Sequence, residues 1–510
     1  MSEEVVATTP SPQPSPSRGE GVSDTVLLCR FCGYVNDSSE PGVRCAQCGA
    51  FSGLETLDAD AAQQRSRRVR LDFLRNRLVR VAIIVLPLLG VLMYVLWAYT
   101  GLPPDPPQPT TAIGDTSVAP VPGEWPQAGG GAANASSAIG SFGSIGDSPS
   151  ASGGWEYAGG APIVAPPAVA DDRVFVTAED GSVVALDRQT GVVIWRYDSR
   201  LTAAITPAVS DGMVFVVFKP GVIAALDENS GEVVWSKRLP VASLPSPTVA
   251  DGRLFVAETD RNRLLALDAA TGETLWDYRL DDWVIAPPAV NDGLLIATSN
   301  AARIHVLNVN TGKLRMIYNA GEGRWTRGAP VVTDDLLHVS SNGVRRDGNR
   351  ARVWGIDYRG HRYPLERPIY YVRTQLAVWG FAKQPPVQQG TVWSTRTSGK
   401  QPYQPAVYGQ TAVVTDVSGL VTGLDVSDGA ILWETDLAVD ITTAATIAGP
   451  VALIGDEHGR ITALSVADGS QQWVATLDGA VTALPVVAGD LLLVPTAGGM
   501  LTALRVSGNR

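Results

Sequence analysis

From residue 154 onward, apolar residues come in short runs separated by turns of Gly, Asp and Asn. One stretch shows the pattern. Pro207-Ala208-Val209 is followed by a turn at Asp211-Gly212 and by the run 214–217. After a Gly turn comes 222–226, then a turn at Asn229-Ser230-Gly231, then Val233-Val234-Trp235. Short β-branched runs closed by Gly, Asp and Asn predict hairpins. Four short strands are therefore expected in about 40 residues.

The same order recurs. Ala185-Leu186-Asp187 with Gly191 and Trp195 returns as Ala225-Leu226-Asp227 with Gly231 and Trp235, and as Ala266-Leu267-Asp268 with Gly272 and Trp276. Weaker copies start at Val306 and Gly355, followed by Gly423-Leu424-Asp425 with Trp433, Ala463-Leu464-Ser465 with Trp473, and Ala503-Leu504-Arg505. Spacing is stricter than residue identity. Twelve positions separate Trp195 from Pro207, Trp235 from Pro247, Trp276 from Pro288, Trp393 from Pro405 and Trp473 from Pro485. Four strands in a 40-residue period predict a propeller blade. Eight units predict an all-β, eight-bladed β-propeller over 154–510. The last unit stops short of its Trp, while Trp155 stands 12 before Pro167. The N-terminal strand is therefore expected to complete the last blade. The repeated Trp is expected to pack between blades. The Asp is expected to accept turn N–H groups, and the Gly to supply φ > 0.

The N-terminal third follows different rules. Residues 81–100 (VAIIVLPLLGVLMYVLWAYT) carry no charge, and 20 residues of helix span ~30 Å, a bilayer core. Arg65, Arg67, Arg68, Arg70, Arg75, Arg77 and Arg80 precede the run, and no Lys or Arg follows it until Arg173. The positive-inside rule then predicts a single-pass span of the cell membrane with the N-terminus cytoplasmic and the propeller extracytoplasmic. Residues 1–24, rich in Ser, Thr, Pro and Glu, read as a disordered tail. Residues 25–53 contain Cys29, Cys32, Cys45 and Cys48 in a C-x2-C-x12-C-x2-C array. That spacing predicts a structural zinc ribbon, with four thiolates on one tetrahedral metal and iron as the other candidate metal. A basic juxtamembrane segment occupies 54–80. Residues 101–153, first Pro-rich and then Gly/Ala/Ser-rich, read as a linker.

Composition narrows the function. All 4 Cys lie before residue 49, so the repeat region forms no disulfide. The formal net charge of −11 argues against a nucleic-acid binder, which usually carries a strongly basic domain. The four histidines, His305, His338, His361 and His458, fall in different units without metal-ligand spacing, and read as turn or strand residues.

The A-L-D-x-x-T-G-x-x-x-W pattern resembles the repeat of the pyrroloquinoline-quinone (PQQ) propeller superfamily over about 154–510. The resemblance implies either a quinoprotein dehydrogenase or a cofactor-free scaffold, such as the lipoprotein propeller of the outer-membrane barrel-assembly machinery. In length and regularity the chain is closer to the scaffold. Many quinoprotein dehydrogenases carry a vicinal disulfide, and they carry a calcium site and a catalytic Asp in long inter-blade insertions. The repeat here has no Cys and mostly minimal blades, so PQQ is not expected.

The fifth unit breaks the spacing. Pro330 to Asp357 stretches to 27 positions and Asp357 to Trp393 to 36. Residues 320–400 hold 13 Lys/Arg against 6 Asp/Glu, a local charge of +7. Arg324, Trp325, Arg327, Arg345, Arg346, Arg350, Arg352 and Trp379 are the candidate partner-binding residues, because Arg and aromatics dominate binding hot spots. The expected function is a membrane-anchored protein-binding scaffold. Its partner would be an extracytoplasmic protein or an anionic cell-envelope component, and its propeller a monomer. A PQQ-dependent dehydrogenase facing outward is the alternative.

Overall fold

The computed structural model describes residues 25–29, 34–36, 44, 54–75, 85–93, 124–134, 137–138, 150–203, 205–241, 245–280, 282–320, 325–326, 328–333, 336–343, 349–359, 375–376, 379–381 and 390–505. The chain divides into two compact units, Met1–Pro103 and Pro104–Arg510.

The first unit holds a three-stranded antiparallel sheet in the order Val35–Asn36, Thr25–Cys29, Leu54–Asp58. Its third strand lies beyond the expected ribbon boundary at 53. The helix Ala59–Arg75 follows without a break and buries Ala62. Arg65 pairs with Glu55 at 3.3 Å, an exposed pair that contributes little. Of the apolar run 81–100, residues 85–93 are helical with exposed side chains. The rest of the run lies outside the described residues. Among the described residues no helix is long and apolar enough to cross a membrane.

The second unit is built from repeated four-stranded antiparallel sheets, the architecture of a β-propeller. Sheet 1 comprises Ala168–Ala170, Arg173–Thr177, Ser182–Asp187 and Val193–Asp198. The same order repeats in sheet 2 (208–238), sheet 3 (248–279), sheet 4 (289–319), sheet 5 (331–396), sheet 6 (406–436) and sheet 7 (446–476). Sheet 8 takes Val486–Ala488, Leu491–Thr496 and Met500–Arg505 from the C-terminus. Its fourth strand is Ser150–Ala158, with Trp155 opposite Ala503. First strands pack on the first strands of neighbouring sheets and are buried, so they line the inner side. Fourth strands alternate buried and exposed and form the rim.

The sequence dictates these joints. In sheet 2, Asp211 (φ 52°) and Gly212 (φ 74°) both adopt the left-handed region. That is the requirement of the two-residue turn matching strand twist, which Asp-Gly meets at low cost. Between third and fourth strands, Asp227 Oδ1 accepts the N–H groups of Asn229 and Ser230 at 3.0 and 2.8 Å and the Ser230 hydroxyl at 3.0 Å. Those bonds hold the Asp227 carboxyl below the usual carboxylate range.

Each repeated Trp reaches into the next sheet. Trp195 Nε1 donates to Glu228 O at 2.8 Å, Trp235 to Ala269 O at 2.9 Å and Trp276 to Val309 O at 3.0 Å. Each indole lies on the Gly of that next turn. A Cβ on Gly231 would fall 2.6 Å from the Trp195 ring. The residue must be Gly both for its φ of +73° and for the absent side chain. Trp155 of sheet 8 makes the same contact with sheet 1, donating to Arg188 O at 2.9 Å. Sheet 4 has Met316 at the Trp position, buried against the following sheet.

One stretch departs from expectation. Residues 124–134, inside the Gly/Ala/Ser-rich 101–153, are packed within the second unit. Trp125 is fully buried, as is most of 127–134. Ser137–Ala138 pairs in parallel with Ile447 and Ala448 of sheet 7.

Candidate functional site

Sheet 5 carries both spacing anomalies, and its hairpins show where they go. Arg352–Ile356 pairs with Thr391–Arg396 in ordinary register, with Gly355 opposite Trp393. The 34 residues between them therefore leave and return at a single hairpin. The shorter insertion follows Leu337–Ser341, and Gly343 and Asn349 come together at its base.

Antiparallel strands place alternate loops at opposite ends. The loops 320–330, 342–351 and 397–405 share one end of sheet 5. The loop after Ile356 leaves from the other end. This splits the candidate set. Trp325, Arg350 and Arg352 lie at the first end, whereas Trp379 sits in the loop that leaves from the second. Arg324, Arg327, Arg345 and Arg346 lie outside the described residues. A pair of hydrogen bonds between Trp325 and Asn342 joins the loops at the first end. Trp325 N–H donates to Asn342 Oδ1 at 2.6 Å, and Asn342 N–H donates to Trp325 O at 3.0 Å. Gly343 N–H donates to Lys400 O at 2.9 Å. Three loops thus form one surface.

Exposed cations stand at this surface beside acids that are hydrogen-bonded into the loops. Arg350, Arg396 and Lys400 are exposed. Arg352 Nη1 donates to Ser394 Oγ at 3.1 Å, and its guanidinium stands 5.2 Å from the Trp354 ring, which fixes its orientation. Among the described residues, two acids beside this surface are hydrogen-bonded to its loops. Asp416, 4% exposed, accepts Gln401 N–H at 2.6 Å. Glu434 accepts the Ser398 N–H and hydroxyl at 3.4 and 3.2 Å. At the other end, Trp379 and Phe381 are 65% and 70% exposed on a short helical turn, and Arg359 pairs with Asp292 at 3.0 Å.

The described histidines do not form a centre. His338 occupies the slot that Phe175, Phe215 and Phe255 hold in sheets 1 to 3, with its ring 5.8 Å from Trp393. Burial pushes it down to about 4. His305 contacts the Tyr278 hydroxyl at 3.1 Å, and burial likewise lowers it to about 4. His458 is exposed in sheet 7, and His361 lies outside the described residues. In the first unit, Cys29 ends its strand fully buried, and its N–H donates to Tyr34 O at 2.9 Å, closing the loop that contains Cys32. Cys32, Cys45 and Cys48 lie outside the described residues, and among those described no group of His, Cys, Asp or Glu is arranged to hold a metal. A shallow surface cavity of about 350 Å3 is lined by Pro220, Arg238, Leu239, Pro240, Val241 and Asp260.

Reading by motif passed over Trp125, Gln127 and Asn134. Their signal was present: a Trp-Pro-Gln triplet and an Asn in an otherwise small-residue tract.

Repeated four-stranded sheets joined by Trp and Gly define a β-propeller of the PQQ-like repeat class. More narrowly, the chain belongs to the family described as outer membrane protein assembly factor BamB, whose profile matches residues 147–244, 219–344 and 379–510. The match breaks over 345–378, which takes in the strand Arg352–Ile356 and part of each sheet-5 insertion. Among solved structures, the chain is similar to BamB from Moraxella catarrhalis, at 18% identity and a TM-score of 0.55, over 69% of this chain and 98% of that one. It is also similar to the quinohemoprotein alcohol dehydrogenase of Comamonas testosteroni, at 15% identity and a TM-score of 0.56, over 77% and 82%. The computationally designed Ika8 protein matches at 14% identity and a TM-score of 0.54, over 68% and 97%. These likenesses concern the fold. No curated protein matches the chain in sequence.

Proposed function

We propose that the chain is a membrane-anchored, extracytoplasmic β-propeller that binds a protein of the cell envelope. The observation carrying this reading is the three-loop surface at one end of sheet 5. It is Arg-rich, lies on a rigid repeat and includes part of the stretch where the family match is interrupted. Elaborated loops on a regular scaffold are where binding resides. The exposed Arg350, Arg396 and Lys400 select an anionic partner surface. Candidate contacts are Arg324, Trp325, Arg327, Arg345, Arg346, Arg350 and Arg352, while Trp379 belongs to a separate surface.

The ring is eight-bladed and closed by its N-terminal strand. The pairing of Trp155 with Ala503 and the Trp155 bond to sheet 1 support this. Residues 81–100 form the anchor, supported by the exposed apolar helix at 85–93. Cys29, Cys32, Cys45 and Cys48 hold a structural zinc ion in the cytoplasmic unit. The buried Cys29 at the base of a closed turn fits a thiolate ligand. When bound, the metal supplies folding energy.

A scaffold is favoured over a quinone enzyme because residues 124–134 fill the inner side of the ring, the usual ligand position in a propeller. Affinity capture from solubilised membranes tests the reading. Arg345→Glu, Arg346→Glu and Arg350→Glu together should abolish recovery of partners retained by the unaltered chain. Full recovery would sink the proposal. Added PQQ with calcium should leave the melting temperature unchanged, since any folded-state ligand must raise it.

A further inference from the structure

The inner strands of the sheets present backbone N–H groups toward the ring axis, and residues 124–134 and 137–138 take them in order. Trp125 and Val169 of sheet 1 exchange two backbone hydrogen bonds, both 2.8 Å. Val209 N–H of sheet 2 donates to Pro126 O at 2.8 Å. In sheet 3 a side chain does the same work: Val249 N–H donates to Gln127 Oε1 at 2.7 Å, and Gln127 Nε2 donates to Val249 O at 3.2 Å. Val290 of sheet 4 donates to Ala132 O at 2.7 Å, and Val332 of sheet 5 to Ala133 O at 2.9 Å. Asn134 Nδ2 lies within 3.2 to 3.4 Å of the Pro288 and Pro330 carbonyls. Ser137–Ala138 then pairs with sheet 7. The donors of sheets 1 to 5 are the middle residues of equivalent strands. Consecutive sheets are served by successive residues of one segment.

The composition of the segment suits this path. Gly129 and Gly130 have φ of +73° and +89°. A Cβ on Gly129 would fall 2.7 Å from Asn134 Cα, and one on Gly130 3.3 Å from the Trp125 ring. The glycines allow the chain to double back over its own indole. Trp125 belongs to one buried apolar cluster with Val169 and Val174 of sheet 1 and Leu491 of sheet 8. Its Nε1 is buried and has no hydrogen-bond acceptor among the described residues, so its contribution here is one of volume.

We propose that the propeller axis is a peptide-binding site, filled in cis by residues 124–134 and 137–138. The ligand class is a turn-forming, Gly-rich peptide with a Trp-Pro-Gln anchor at one end and an Asn at the other, closed by the Gly130 N–H to Gln127 O and Asn134 N–H to Gly131 O bonds, both 3.0 Å. Recognition works by strand-like pairing to a circle of donors, with the indole as the specific contact. Residues 124–134 and 137–138 therefore belong to the second unit's sheets and not to a linker.

Hydrogen exchange on the full-length chain, read by peptide mass spectrometry, tests this. Trp125→Ala should speed exchange in peptides containing 208–210, 289–291 and 331–332 at least tenfold. The fourth strands, such as 233–238, should be unaffected. Trp125→Phe, which keeps most of the volume and loses no hydrogen bond, should remain close to the unaltered chain. A synthetic peptide of residues 121–140, added at ~1 mM to match the effective concentration of a tethered segment, should restore protection to the Trp125→Ala protein. Unchanged exchange in Trp125→Ala would overturn the proposal. So would equal loss in Trp125→Phe, or loss that the peptide fails to reverse, because either result would mark general loosening in place of a peptide site.

Discussion

The Trp–Gly joint between sheets 1 and 2 sets up a double-mutant cycle whose outcome follows from distances. Trp195 is 8% exposed and donates to Glu228 O at 2.8 Å. Trp195→Ala removes the indole and leaves a cavity, a loss of about 3–5 kcal/mol, with about 1 kcal/mol more for the lost hydrogen bond. Gly231→Ala acts by two routes. A left-handed φ of +73° costs an L-residue roughly 1–2 kcal/mol. Its new Cβ lies 2.6 Å from Trp195 Cε3 and 2.7 Å from Cδ2, an overlap costing roughly 1–3 kcal/mol. Removing the indole removes the second route only. The double variant should therefore be about 1–3 kcal/mol less destabilised than the sum of the single variants. Urea denaturation of the detergent-solubilised chain, followed by circular dichroism at constant m-value, measures all three. Costs that add within ~0.5 kcal/mol would show that the two residues do not meet across the joint.

Acid stability depends on His338 and His305, each lowered to about 4 by burial, against an ordinary value of 6.5. Because the folded state favours the neutral ring, their contribution is complete above pH 6.5 and disappears as pH falls toward 4. Each loses about 3 kcal/mol in full, and His338→Phe, which restores the residue of sheets 1 to 3, should flatten half of that dependence in a pH series of melting temperatures. Cys32→Ser or a strong chelator should unfold the first unit, seen as rapid hydrogen exchange in Thr25–Cys29, and leave exchange in sheets 1 to 8 unchanged. Unaltered exchange in that strand would remove the zinc assignment. Trp379→Ala, at a 65% exposed position, should alter stability by less than about 0.5 kcal/mol and should not reduce partner recovery through the Arg350 end.

Much of the fold could be read from spacing because its determinants are local. A turn Asp two residues from the N–H it accepts, and a Trp whose Gly partner lies a fixed number of positions away, leave a period in the chain. The sheet-5 insertions were legible for the same reason, as departures from that period. Their separation was not, because it depends on which strand each loop follows. Counting strands would have assigned 342–351 and the loop after Ile356 to opposite ends. His338 could also have been aligned with Phe175, Phe215 and Phe255. The axis segment was the real blind spot. It is held mainly by backbone groups of distant sheets, and a carbonyl of Pro126 or Ala132 carries no signature in sequence. Gly129 and Gly130 look like flexibility, whereas in the fold they permit positive φ and close approach.

The central claim is that the loops shared by Trp325, Arg350 and Lys400 engage an envelope partner. A photoreactive amino acid replacing Arg350 in the full chain, irradiated in intact membranes, tests it most directly. The same residue replacing Val234, 53% exposed on the rim of sheet 2, serves as the reference. The account predicts a discrete adduct of one partner from position 350 that is absent from position 234 and is lost when Arg345 and Arg346 become Glu. Identical adducts from both positions, or none from position 350, would contradict it.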